Sequence, residues 1–144
     1  MYTFEKSIFI KHPQQEVFEF ITNPANSTQW QRTTVSSEWT SDGSPGVGSK
    51  IKSVIKLFGR PIEGEVEVTE WEPYNAYCYK GSGGSFQVAG KVWIEPKGDG
   101  TQVTLNGQVN ALGFFKLLER LVGRQAEKQD GSNYDALKLL LETS

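Results

Sequence analysis

The sequence contains only one cysteine and one histidine among 144 residues, which excludes several kinds of site. A lone cysteine forms no internal disulfide and rules out a multi-cysteine metal site. The glycines at 81–84 separate two apolar stretches and do not lead into a helix, as a phosphate-binding loop would. We therefore expect no bound metal ion and no cofactor.

An excess of charge of one sign and a long apolar run are also missing. The net charge is −2, and no basic stretch suggests a nucleic-acid partner. No run approaches the roughly 18 apolar residues that cross a membrane, and the start shows no signal peptide. We expect one soluble, cytoplasmic domain covering residues 1–144. Aromatic residues, at 12% with four tryptophans, are comparatively frequent and suit a bulky core or a lined cavity.

Apolar and polar residues alternate through most of the chain. A first strand is predicted over Thr3 to Lys11, followed by two short helices at 16–21 and 24–31. About six more strands are predicted between Thr34 and Asn110. Strands with one apolar face form an antiparallel sheet, and seven of them curl instead of staying flat.

One turn in this sheet is predicted to be centred near Gly59 and Arg60, where lysines precede and glutamates follow. This centre predicts that Lys56 lies opposite Glu63, and by the same register Lys52 opposite Glu67. Such pairs mark the solvated outer face of the sheet.

The last major element is a helix predicted from Phe114 to Glu142. Its first apolar stripe and that of Tyr134 to Leu141 point about a quarter turn apart, and Gly131 weakens the segment between them. A bend or break is therefore expected near Asp130 and Gly131. The second half would pack on the sheet, and the first half would form a movable cavity wall. The predicted fold class is α+β, with the sheet wrapped around this helix.

Three stretches resemble the helix-grip superfamily (SRPBCC), which includes START domains, the birch-pollen-allergen fold and polyketide cyclase/dehydrase-like proteins. They are Ile8 to Trp30, the central run from Gly46 to Pro73, and Asn133 to Lys138. Asn23 stands where family members commonly carry Asp before the proline. The resemblance implies a cavity between the sheet and the long helix that holds a small hydrophobic molecule.

Residues on the predicted inner faces are the candidate ligand contacts. Inner-face glycines fill no space, and tyrosine hydroxyls among aliphatic residues need polar partners, so both features favour a cavity. The predicted ligand-binding residues are Trp39, Ile55, Val66, Tyr77, Tyr79, Phe86, Val88, Phe114, Phe115 and Leu118.

No catalytic residue is predicted from the sequence. His12 is interpreted as a surface residue at a strand–helix junction, and Cys78 as an outward-facing thiol with no neighbour to activate it. No pair of carboxylates is expected on the inner face. Glu70 either continues the inner phase of its strand or lies outside because of a bulge.

Three functions are compatible with this pattern. The first is binding of a small hydrophobic or aromatic molecule, lipid or polyketide-like, in the cavity. The second is a cyclase or aromatase in which Tyr77 or Tyr79 relays a proton. The third is a protein-interaction module or homodimer that uses an outer face carrying Trp71 and Trp93.

Overall fold

The computed structural model describes residues 1–57 and 59–143, with all of their side chains except that of Leu57. The α-helices are α1 (Gln14–Thr22), α2 (Ser27–Trp30) and α3 (Glu119–Glu142), and 3-10 helices cover Pro24–Asn26 and Gly113–Leu118. The strands are β1 (Tyr2–Ile10), β2 (Thr34–Trp39), β3 (Lys50–Leu57), β4 (Arg60–Glu72), β5 (Ala76–Gly83), β6 (Phe86–Lys97) and β7 (Gly100–Ala111).

The seven strands form one antiparallel sheet in the order β1-β7-β6-β5-β4-β3-β2. Strands β2 to β7 follow one another as a meander, because their short turns join neighbours. The exception is β1, which pairs with β7 although about a hundred residues separate the two strands in the sequence. The sheet, the long C-terminal helix and the two short helices confirm the predicted α+β helix-grip fold. No helix in the described part of the chain is long and apolar enough to cross a membrane.

The core lies between α3 and one edge of the sheet. Helix α3 packs mainly on β1 and β7 and also contacts α2. Its side chains at 134, 137 and 141 recur at helical spacing and are buried against the inner face. Helix α3 therefore covers the inner face closely at β1 and β7, while the inner face towards β3 is less covered.

Of the predicted bend or break near Asp130 and Gly131, the break is wrong. Helix α3 is continuous through both residues, and the change in helix type comes earlier, where the 3-10 helix Gly113–Leu118 becomes α-helical at Glu119. Gly131 is tolerated because tertiary packing of the helix outweighs a propensity cost of about 1 kcal/mol.

The predicted register of the β3–β4 hairpin is also wrong, by two residues. Lys52 lies opposite Glu65, and Lys56 lies opposite Pro61, because the hairpin is centred one residue earlier than predicted and Leu57 already pairs with Arg60. A slip of two keeps every side chain on its predicted face. The lysines and glutamates still form an outer charged face, with ion pairs along the diagonals such as Lys52 to Glu63 at 2.6 Å.

A β-bulge in β4 overturns the predicted outer face carrying Trp71 and Trp93. The register shifts between Val68 and Glu70, so Glu70 lies opposite Cys78 and Trp71 lies opposite Tyr77. Trp71 therefore points inward, with its ring 5.1 Å from that of Phe18. Trp93 remains outside beneath the Lys91 ammonium, so the two tryptophans share no surface.

Candidate ligand-binding site

Three tyrosines and one aspartate meet in the space between the sheet and α3. Tyr77 and Tyr79 project from the inner face of β5, with ring centroids 6.3 Å apart. Asp130 and Tyr134 face them from α3, where a separation of four residues puts both on one side of the helix. The hydroxyls of Tyr77 and Tyr134 interact directly, and the charge of Asp130 acts on all three tyrosines.

Asp130 is the most unusual group in this cluster. Its carboxyl is largely enclosed by protein, although the residue as a whole keeps partial exposure. Burial raises its pKa from 3.8 to about 7. No cation or hydrogen-bond donor within residues 1–57 and 59–143 pairs with it in a way that lowers this value. At neutral pH the carboxyl therefore occurs in both its protonated and its charged form.

The tyrosine hydroxyls stay protonated throughout the physiological range. Burial is the main cause that raises the pKa of Tyr77, Tyr79 and Tyr134. Behind Tyr134, the Trp30 ring packs at a centroid distance of 5.4 Å. The cluster thus presents hydroxyl donors and one switchable carboxyl against aromatic walls, and this mixture is typical of small-molecule sites.

Gly90 makes room for one of these rings. The Tyr79 ring crosses the backbone of its cross-strand partner Gly90, where an added Cβ would lie 2.6 Å from the hydroxyl oxygen. Any larger residue would force the ring away. The inner-face glycine therefore sets the position of the Tyr79 hydroxyl in the cluster.

Most of the predicted contact residues lie on the concave side of the sheet. Ile55 and Val88 are each 37% exposed although they belong to inner faces, so the described side chains do not cover them fully. Val66 lies next to Gly81 on the same surface. Phe86, two residues before Val88 on the same face of β6, contacts Phe115 with ring centroids 5.8 Å apart.

Two of the predicted contacts lie at the margins. Trp39 lines a depression of about 460 Å³ between α1 and the turns around Pro45 and Pro73, together with Trp71. Phe114 is 79% exposed and contacts only the ring of Phe115 among the aromatic residues described. Leu118 is also partly exposed at the junction with α3.

The sequence interpretation missed Asp130 and Tyr134 as site residues. It expected a bend or break near Asp130, although the spacing of Asp130, Tyr134 and Leu137 at i, i+4 and i+7 defines one helical face. This spacing was the available signal: a carboxyl in line with a buried stripe belongs to the inner side.

Cys78 and His12 have structural surroundings. The Cys78 thiol donates a hydrogen bond to Glu70 at 2.8 Å on the outer face. Burial and the Glu70 carboxylate raise the pKa of the thiol to about 11, which leaves it protonated and weakly nucleophilic. His12 lies 2.7 Å from Glu16 at the beginning of α1.

Comparisons with known proteins agree with this architecture. A START superfamily protein from Mycobacterium smegmatis superimposes with a TM-score of 0.85 at 13% identity, covering 99% of both chains. The Zhui aromatase/cyclase from Streptomyces sp. R1128 gives a TM-score of 0.82 at 13% identity, over 97% of this chain and 93% of that one. The protein TTHA0849 from Thermus thermophilus gives 0.79 at 20% identity, over 94% of each. Identities this low show a shared fold.

Sequence comparison gives the family. Curated protein sequences provide no match. A family model described as polyketide cyclase / dehydrase and lipid transport matches residues 1–137, which is nearly the whole chain. This confirms both the predicted resemblance and, at the level of the family, the prediction of a hydrophobic-ligand-binding domain. The chain belongs to the polyketide cyclase/dehydrase and lipid transport family.

Proposed function

We propose that this protein binds a small, mainly apolar molecule with one polar group between the inner face of the sheet and α3. The observation that carries this proposal is the cluster of Asp130 with three tyrosine hydroxyls in a space with apolar walls. Buried polar groups without full hydrogen bonding are costly, so they favour a ligand that completes their bonds. A lipid or polyketide-like aromatic molecule has the required shape.

The walls provide affinity and the cluster provides orientation. Inner-face residues such as Ile55, Val66 and Val88 gain roughly 25 cal/mol for each Å² of apolar surface removed from water. Phe86, Phe115, Leu118 and Trp39 extend these walls towards the two ends. A protonated Asp130 donates a hydrogen bond to a carbonyl oxygen of the ligand, while tyrosine hydroxyls donate to any further oxygen.

Ligand affinity is expected to depend on pH. A neutral flavonoid with a ketone should bind more weakly as the pH rises through about 7, because Asp130 then loses the proton it donates. Asp130→Asn should flatten this profile, since the amide donates at every pH. Isothermal titration calorimetry across the pH range measures the effect, after a thermal-shift and native mass spectrometry screen of fatty acids, flavonoids and aromatic polyketides.

Tyrosine variants provide the control for that experiment. The double variant Tyr77→Phe/Tyr79→Phe should lose about tenfold in affinity, from one or two hydrogen bonds. Tyr74→Phe is the matched control, because Tyr74 is exposed and its ring lies against Phe18 outside the cluster. The proposal fails if no compound class binds, or if the Tyr74 variant loses as much affinity as the double variant.

A cyclase or aromatase function is the second candidate, and the pKa of Asp130 near 7 is the observation that favours it. A group with this pKa can accept and return a proton near neutral pH, as carbon–carbon ring closure and loss of water require. Tyr77 and Tyr79 would hold the reacting oxygens.

The test is turnover of a poly-β-ketone substrate, followed by mass spectrometry. We expect Tyr77→Phe/Tyr79→Phe to abolish turnover by an enzyme of this kind. Asp130→Asn should bind the substrate but release no product. Retained turnover in both variants excludes these residues from catalysis. The cytoplasmic location and the absence of a nucleic-acid partner stay predictions from the sequence.

A further inference from the structure

The segment of residues 112–128 leaves large apolar side chains in solvent. Leu117 is 84% exposed, Phe114 79% and Leu121 58%. Leu112, Phe115 and Leu118 beside them are also exposed. Isolated exposed leucines are ordinary, but six large apolar residues within ten positions form a patch that marks an interaction surface.

The same segment carries cations without a carboxylate partner in the described part of the chain. Arg120, Arg124 and Lys128 are exposed, and none of them forms an ion pair with any described carboxylate. Glu119, in contrast, is buried and engaged by Lys116 and the amino group of Met1. The segment also contains the exposed Glu127, which accepts a hydrogen bond from the Tyr2 hydroxyl. With four cations and two carboxylates it carries a net charge of +2, whereas the chain as a whole has −2.

We propose that residues 112–128 dock onto the surface of an anionic lipid bilayer. An apolar strip flanked by arginines is the pattern of a helix that lies in the membrane interface. Leucines and phenylalanine enter the headgroup boundary, while arginines pair with lipid phosphates. A second copy of the chain fits less well, because a symmetric contact through this patch would bring Arg120 and Arg124 of both copies together.

The docking surface leads towards the cavity. Phe114 contacts Phe115, and Phe115 contacts Phe86 on the inner face of β6, with ring centroids 5.9 and 5.8 Å apart. An apolar ligand taken from the bilayer would therefore meet aromatic surface along the way to the inner face. This second step depends on the proposed function, whereas the docking itself does not.

Vesicle flotation tests the docking. The protein is mixed with phosphatidylcholine vesicles that contain or lack phosphatidylglycerol, and the bound fraction is measured. We expect binding to the anionic vesicles that weakens with added salt, since screening acts on exposed charges. Failure to float with anionic vesicles overturns the proposal.

Variants distinguish docking through this patch from nonspecific adsorption to vesicles. Leu117→Ser/Leu121→Ser should weaken binding by at least about tenfold, and Arg120→Gln/Arg124→Gln by a similar factor on anionic vesicles only. Leu139→Ser is the matched control, because Leu139 is 68% exposed near the other end of α3. Equal losses in the control overturn the proposal.

The alternative, that a second copy of the chain covers this patch, is tested in parallel by sedimentation velocity. We expect a monomer that is unaffected by the leucine substitutions. A dimer dissolved by Leu117→Ser/Leu121→Ser would assign the patch to self-association and overturn the membrane assignment. Loss of docking with intact ligand affinity leaves the cavity proposal standing, so the two failures are distinguishable.

Discussion

Replacing Asp130 by asparagine is expected to stabilise the protein at pH 8 and to leave its stability near pH 4 almost unchanged. Burial raises the pKa of this carboxyl from 3.8 to about 7, so ionising it costs free energy in the folded state. Above the folded pKa this cost is fully present, and it corresponds to about 4 kcal/mol. The variant removes the cost because its amide is neutral.

The direction of the pH dependence follows from proton counting. Between about pH 4 and 7 the folded state holds a proton that the unfolded state has lost, so stability falls as the pH rises. Urea denaturation at several pH values measures this slope for the wild type and for Asp130→Asn. The slope should be smaller in the variant.

Asp135→Asn is the matched control on the same helix. Asp135 is exposed and lies 4.0 Å from Lys6, a surface ion pair whose loss changes stability by less than about 1 kcal/mol. If Asp130→Asn has no larger effect at pH 8 than this control, the carboxyl is not enclosed as described. Proteins often keep a destabilising group because it serves their function, so the cost of ionising Asp130 supports its place in the candidate site.

Truncating Leu137 to alanine is expected to destabilise the protein by about 2–5 kcal/mol. Leu137 is fully buried where α3 meets the inner face of the sheet, so the shorter side chain leaves a void that close packing does not fill. Because whole domains are stable by only about 5–15 kcal/mol, the variant should unfold at much lower urea concentration.

Leu139→Ala is the comparison, two positions further along the same helix. Leu139 is 68% exposed, and its truncation should change stability by no more than about 0.5 kcal/mol. Both substitutions replace the same residue type in the same helix, so the helix propensity change is shared. Similar midpoints for the two variants would contradict the described position of α3.

The alternation of apolar residues is strong enough to predict the sheet from the sequence. Strands such as Phe86 to Ile94 keep one face apolar over many residues, and the face predictions from Lys50 to Lys56 in β3 survive even a register error of two. The predicted register failed because charge pairing also works along diagonals, so opposite charges constrain a hairpin less tightly than its turn does.

The bulge at Thr69 could not be predicted from alternation. One extra residue reverses the phase of everything after it in β4, and nothing in the composition of that strand signals the insertion. As a result, Trp71 lies in the aromatic group around Phe18 and not on the outer face where alternation predicted it. Glu70 lies on the outer face because of this bulge, which is one of the two alternatives that the sequence allowed.

The candidate site was predicted in part. Its strand residues followed from period-two alternation, as Tyr77 and Tyr79 show. Its helical residues were missed, because Asp130 looks solvent-exposed when only its neighbours are considered. A carboxyl in an interior position is energetically unfavourable, so residue preferences point away from it, and only helical spacing points towards it.

The pairing of β1 with β7 has a consequence for how the protein is made. About a hundred residues separate the two strands, and β1 has no other neighbour among the described strands. During synthesis β1 therefore waits, unpaired, until β7 and then α3 leave the ribosome, and contacts this distant in sequence form slowly. The β2–β6 meander can form first. The pairing of β1 with β7 then comes last, and until it forms the unpaired strands expose edges that favour aggregation.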